Sequence, residues 1–413
     1  MRERAFSMKI KKSTLVYGLL IIIFSLKRFW GSNLPWFVQP VIAILAIFIA
    51  HTYSVNSTCQ INYRKHIYLA VAPIVCILGY SLIIWMADPD IYSTVVSNGV
   101  SSSVYLVLAI LMAAAVYRVL GERIIDFTFK CFVISYCLGS ILGLFLKCGF
   151  TEGFRYLFTL NSEVSSAGYI MEVHDITFAF GIFFIYYLFF DYEDRNRLRK
   201  IILCSLMIIW GLKRIEIAAL IIVSIVFVVF IKRNVIFEGL RFISTIVALV
   251  VSYVYVFFIH SSKLIELATM YGIDFSGRLD TYSYIASNYS KFSLFFWGKG
   301  IGFLDEEISR LQDLGLKMGD HLIISTHSDI LRMYVSLGFI GFGIWMWYLL
   351  SYRTKKIESY YGLNNAKLYY LCTIYYFVLF LTDNTYSYQV TLLAFIVVLL
   401  GSLKSEEDIA MKT

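Results

Sequence analysis

From Thr14 to Leu403 the chain alternates long apolar runs with short polar breaks. A helix that crosses a membrane needs about 20 mostly apolar residues. Runs approaching that length fall at 14–30, 35–53, 67–87, 101–118, 124–147, 176–190, 200–212, 215–231, 241–259, 328–350, 366–382 and 387–403. The pattern predicts an all-α polytopic membrane protein of about twelve transmembrane helices, forming one domain over 1–413. The seventh run is short, and Lys213-Arg214 separates it from the eighth. The two are either separate helices or one long broken one.

Two polar interruptions are large, at 148–175 and 260–327. In the second, Tyr282, Ile285, Tyr289, Phe292 and Phe296 recur at helical spacing. This suggests an aromatic-faced helix, either lying in the membrane interface or packed on the bundle. The interruption ends at Thr326-His327-Ser328 and runs into the tenth apolar segment. At about 100° per residue, His327, Leu331, Tyr334, Gly338 and Gly341 share one stripe of that helix. A histidine then sits at the mouth, Tyr334 lies deeper, and two glycines allow close backbone contact.

Composition agrees with the pattern. The chain is 59% hydrophobic and 15% charged, with a mean hydropathy of +0.73, which is membrane-protein territory. The 7 cysteines are an odd number and most lie in apolar runs, so they do not form a disulfide framework. The net charge of +8 informs topology rather than nucleic-acid binding. Arg2, Arg4, Lys9, Lys11 and Lys12 precede the first run with no small-residue cleavage site after it. That run is expected to be an uncleaved helix. Further basic residues collect in alternate breaks: Arg64 and Lys65, Arg118 and Arg123, Arg195 to Lys200, Lys232 to Arg241, Arg353 to Lys367, then Lys404 and Lys412. By the positive-inside rule these face the cytoplasm, as do both termini. The loops at 148–175 and 260–327 then face the periplasm.

Few patterns suggest chemistry. Lys213 and Arg214 sit at the outer end of an apolar run, where they either snorkel, with Glu216 as a partner, or line a cavity suited to an anion. Arg278 adds a guanidinium able to hold phosphate in a fork. Gly298-Lys299-Gly300-Ile301-Gly302 lacks the strand and helix of a dinucleotide fingerprint, and no Walker loop appears. No Cys-x-x-Cys or His-x-x-x-His is present, and His321 and His327 are six apart, so no metal and no cofactor is expected.

The order of these features resembles a family. Gly211-Leu212-Lys213-Arg214 ends a middle span. A long loop begins Ser276-Gly277-Arg278-Leu279-Asp280-Thr281-Tyr282. Phe296-Trp297 precedes the glycine motif, and His327-Ser328-Asp329-Ile330-Leu331 leads to Leu337-Gly338-Phe339-Ile340-Gly341. Over residues 211–343 this is similar to Wzy-type O-antigen polymerases and the related WaaL-type ligases. The family's usual Ser-Arg in the middle span is Lys-Arg here, and its usual His-Asn is His-Ser. The resemblance implies a GT-C-type glycosyltransferase of the bacterial inner membrane, with its site facing the periplasm. It would act without metal on glycans carried by undecaprenyl pyrophosphate, beside membrane lipid and a chain-length regulator protein. It implies His327 at the acceptor hydroxyl, with Arg214 and Arg278 on the pyrophosphate. Lys213, Arg332 and Arg155 are further candidates for the pyrophosphate, and Tyr334 and Lys299 for the surrounding site. A ligase shares these motifs. A lipid-linked oligosaccharide flippase is a third reading, but it would carry cations along its spans. Here the spans are nearly free of charge below Lys213 and Arg214, with Lys130 the main exception.

Overall fold

The computed structural model describes residues 13–26, 37–52, 63–88, 91–158, 174–211, 213–231, 237–272, 278–313, 317–318, 321–322 and 326–403. These residues are almost entirely helical. The helices are α1 (Ser13–Leu26), α2 (Val38–Thr52), α3 (Arg64–Ala87), α4 (Ser93–Leu120), α5 (Ile124–Cys148), α6 (Phe150–Phe158), α7 (His174–Phe189) and α8 (Arg197–Gly211). They continue with α9 (Arg214–Val226), α10 (Phe237–His260), α11 (Lys263–Met270), α12 (Arg278–Tyr289), α13 (Phe303–Asp313), α14 (Asp329–Trp347), α15 (Arg353–Phe380) and α16 (Gln389–Gly401). Each predicted apolar run carries helix. The one β feature among the described residues is a two-residue antiparallel pair, Lys317–Met318 with His321–Leu322. Residues 159–173 of the predicted 148–175 loop, and Ser276-Gly277, lie outside the described residues.

The protein is a membrane-embedded helical one. Five helical stretches are long and apolar enough to cross a membrane by length and composition. The surface carries the same signal: Ile209, Ile221, Val250 and Phe242 are large apolar side chains left exposed. In water such faces would be aggregation sites, but hydrocarbon solvates them. The helices that are buried on all sides differ. In α16 every residue from Leu393 to Leu400 is buried, as is every residue from Ile176 to Phe183 of α7, where Gly181 has no room for a Cβ. Both helices are apolar nearly all round, as a central helix must be. The last helix, α16, packs against α4, α5, α7 and α15 and so forms the axis of the core.

The structure decides one open alternative and corrects two expectations. First, the seventh and eighth runs are separate helices and not one broken one, with Lys213 extended between them at φ −85°, ψ 98°. Second, the aromatic loop helix is shorter than its pattern. It ends at Tyr289, where the Ser290 hydroxyl turns back to the Ala286 carbonyl (3.2 Å) and His260 (2.9 Å). Tyr282 and Ile285 are buried, so this helix packs on the bundle rather than lying free in the interface. Third, the stripe from His327 to Gly341 is not one helical face. Ser328 is the N-cap of α14, so His327 precedes the helix, and Gly338 breaks it at φ 69°, ψ −174°.

The break at Gly338 explains the glycine motif. Ending a helix inside the bundle leaves its last carbonyls without partners, and buried backbone groups need them. The chain from Phe296 to Gly300 supplies them. Lys299 N donates to Val335 O (2.9 Å), Gly300 N donates to Ser336 O (2.9 Å), and Phe339 N donates to Phe296 O (2.8 Å). The approach is so close that a Cβ on Gly338 would fall 2.1 Å from Phe296 O, and one on Gly298 2.5 Å from Ser336 O. Gly298 and Gly300 also take positive φ, 91° and 81°, which favours glycine. The motif is therefore a backbone clamp that fixes the loop against α14.

Candidate functional site

The polar residues converge at one end of the bundle, around the turn between α15 and α16. Its carbonyls hold the neighbouring elements in place. Leu381 O accepts from the Tyr255 hydroxyl of α10 (3.0 Å), Thr382 O from Arg278 Nη1 at the start of α12 (3.3 Å), and Asp383 O from Asp329 N (3.2 Å). The Asp383 carboxylate accepts from the Tyr388 hydroxyl (2.6 Å) and Asn384 N (2.8 Å). The Thr326 hydroxyl donates to Asn384 Oδ1 (3.1 Å).

His327 sits against this turn. Its backbone is left-handed at φ 43°, a conformation uncommon outside glycine and asparagine. The Tyr282 hydroxyl donates to its carbonyl (2.7 Å) and so holds it there. Burial keeps the Tyr282 phenol well above its ordinary range, so it is protonated and donates. His327 is half-buried and follows directly on Thr326, while Arg278 and Tyr255 bond the neighbouring carbonyls of the turn. Ser328 then caps α14, its hydroxyl accepting from Leu331 N (3.3 Å), as serine does at an N-cap.

Four carboxylates that the sequence reading left out of the site, Asp383 among them, lie in this region. Asp329 is fully buried. Its Oδ2 accepts from Tyr386 N (2.6 Å), while Oδ1 has no partner among the described residues. Asp175 accepts from Thr391 N (2.7 Å) and the Thr391 hydroxyl (2.8 Å), capping the positive end of α16. Glu216 is fully buried, within 3.0 Å of the Tyr375 hydroxyl and in electrostatic range of both Lys213 and Asp383. The set is therefore richer in carboxylates than expected. Counting only Lys and Arg hid them, although a carboxylate at the mouth of an apolar run is itself a signal.

The other sequence candidates divide. Lys213 is buried beside Glu216 at the start of α9, and Arg214 is exposed on the first turn. Cations at a helix N-terminus oppose the dipole by about 0.3–1 kcal/mol each, so helix stability does not explain this pair. Arg278 half-exposes its guanidinium, with one hydrogen bond among the described residues. The remaining candidates are engaged elsewhere. Arg332 makes a short ion pair with Asp305 of α13. Lys299 pairs with Asp88 (3.3 Å). The exposed Arg155 pairs with Glu152 (3.8 Å) one turn earlier. Tyr334 is buried among Phe292, Phe296, Phe339 and Phe342 and donates to Lys291 O (2.8 Å). These four residues serve structure in this arrangement.

Comparison with protein-family models, curated proteins and solved structures finds no match for the chain.

Proposed function

We propose that the chain is a surface-polysaccharide polymerase of the Wzy type, an inner-membrane enzyme with about twelve spans and GT-C-type architecture. It would transfer a growing glycan from undecaprenyl pyrophosphate to a sugar hydroxyl of another lipid-linked repeat, at the periplasmic face. The observation that carries this reading is the gathering of Arg278 and His327 around one turn, with Glu216, which lies in electrostatic range of Lys213, also in range of the turn's Asp383.

In this reading the acceptor oxygen bonds to the anomeric carbon as that carbon's bond to pyrophosphate breaks. The pyrophosphate leaves with the bonding electrons, and its added charge needs fixed cations rather than a proton. Arg214 is exposed and Arg278 half-exposed, and a guanidinium fork matches phosphate oxygens. The acceptor proton needs a base within hydrogen-bond reach, and His327 is the titratable group at the mouth that suits this. Arg332 and Arg155, the further candidates for the pyrophosphate, each have a carboxylate partner, as does Lys299, a candidate for the surrounding site.

The glycolipids of a deletion strain test the proposal. Lipid A core carrying a single repeat is the expected result. A bare core, with polymer retained on the carrier lipid, would instead mean a ligase. Repeats trapped in the cytoplasmic leaflet would mean a transporter, and unchanged polymer would refute all three.

A further inference from the structure

A second polar site is built around Arg353, in a cavity that reaches Thr385 and Tyr386 of the turn between α15 and α16. Arg353 opens α15 and is only 5% exposed. Its guanidinium lies over the rings of Tyr369 (4.8 Å) and Phe395 (5.8 Å). Nε and Nη2 have no hydrogen-bond partner among the described residues. The side chain lines a cavity of about 90 Å³ between α3, α4, α14, α15 and α16, and no other lining residue is charged. The cavity wall also carries the Tyr376 hydroxyl, which is likewise unpartnered among the described residues and in electrostatic range of Asp175 and Asp329 as well as of Arg353. His66, one helical turn before the lining residue Ala70, is buried near Arg353, and neither ring nitrogen has a partner among the described residues.

A buried charge without a counter-charge costs several kcal/mol. Each aromatic face returns about 2 kcal/mol when desolvated, but neither carries a counter-charge or a hydrogen-bond acceptor for the unpartnered N–H groups. At roughly 10–15 Å³ of this measure per water, the cavity admits about six waters. Water would satisfy the hydrogen bonds but leave the charge. A monovalent anion satisfies both. A dianion would leave a surplus negative charge, because no second cation lines the wall. We propose that Arg353, with the Tyr376 hydroxyl as a further donor, binds a small monovalent inorganic anion of halide size inside the bundle. The cavity reaches the turn at Thr385 and Tyr386, but the proposal does not depend on the glycosyl-transfer reading.

The test is thermal unfolding of the detergent-purified protein in sodium chloride against sodium gluconate, at constant ionic strength. Gluconate is a monovalent anion several times larger than chloride. The midpoint is expected to rise with chloride and saturate, as for a ligand that binds only the folded state, and bromide should substitute. Arg353→Met should show no chloride response and should be at least as stable as wild type in gluconate. Tyr376→Phe should raise the half-saturating chloride concentration about tenfold, the loss of one hydrogen bond to a charged group. Identical wild-type curves in chloride and gluconate would overturn the proposal, as would a chloride response that survives in Arg353→Met. An unchanged half-saturation in Tyr376→Phe would remove the tyrosine from the site. If Arg353→Met yields no folded protein, radiolabelled chloride binding to wild type and Tyr376→Phe decides the matter in the same terms.

Discussion

His327 holds a left-handed backbone at φ 43°, and this decides which substitutions are informative. Asparagine tolerates that conformation and alanine less well, so His327→Asn removes the imidazole at the least cost to the fold. If the ring accepts the acceptor proton, both His327→Asn and His327→Ala should lose about 10²–10⁴ in transfer rate. Asparagine should do so at wild-type thermal stability, leaving single unextended repeats. Near-normal extension by the asparagine variant would show that the residue's role lies in the turn and not in proton transfer. The cations are tested by the shape of their donors. Arg278→Ala and Arg214→Ala should each abolish or strongly reduce chain extension at unchanged protein level. Lysine should restore only part of it, because a point charge lacks the fork. Full extension by both alanine variants would leave these arginines with a topological role alone. Arg278 and His327 were legible as candidates because polar groups stand out against apolar runs. Asp329 and Asp383 were equally polar, but the positive-inside argument reads only cations.

At the scale of elements, apolar periodicity marked where helices lie but not where they break. Gly338 continues a helical pattern on both sides, and the break depends on a partner, the Phe296–Gly300 chain, that is distant in sequence. The same contact shows that the glycine motif is a clamp, and it fixes a prediction. Alanine at Gly338 combines a positive φ with a Cβ 2.1 Å from Phe296 O. Gly338→Ala should therefore destabilise the protein by about 2–4 kcal/mol, read as a lower thermal midpoint and less monodisperse protein. Gly239 is the control: it lies within α10, with nothing within 4 Å of the position a Cβ would take. There alanine should be neutral or stabilise by up to about 1 kcal/mol through helix propensity. Equal behaviour of the two variants would mean that the loop does not clamp α14 in the native protein.

For the whole molecule, the apolar runs made the helical membrane class readable from the sequence, because exposed and buried faces are both apolar in a protein solvated by lipid. Which helix is central was less accessible. The apolar character of α16 is shared by several runs, and its place at the axis emerges only from its packing on α4, α5, α7 and α15. Orientation rests on a different physical signal, the clustering of Lys and Arg in alternate breaks. The buried turn residues Asp329 and Asp383, with Arg278 and His327, lie at the end opposite the breaks that hold Arg64, Lys200 and Arg353, if the helices run antiparallel as their short connections require. A reporter fused after Lys200 or Arg233 should therefore read cytoplasmic, and one fused near Gly277 should read periplasmic. Lipid-linked repeats awaiting polymerisation are presented at the periplasmic face, so the second fusion bears directly on function. A cytoplasmic signal near Gly277 would put Arg278 and His327 on the wrong side of the membrane for a polymerase, whatever their arrangement around the turn.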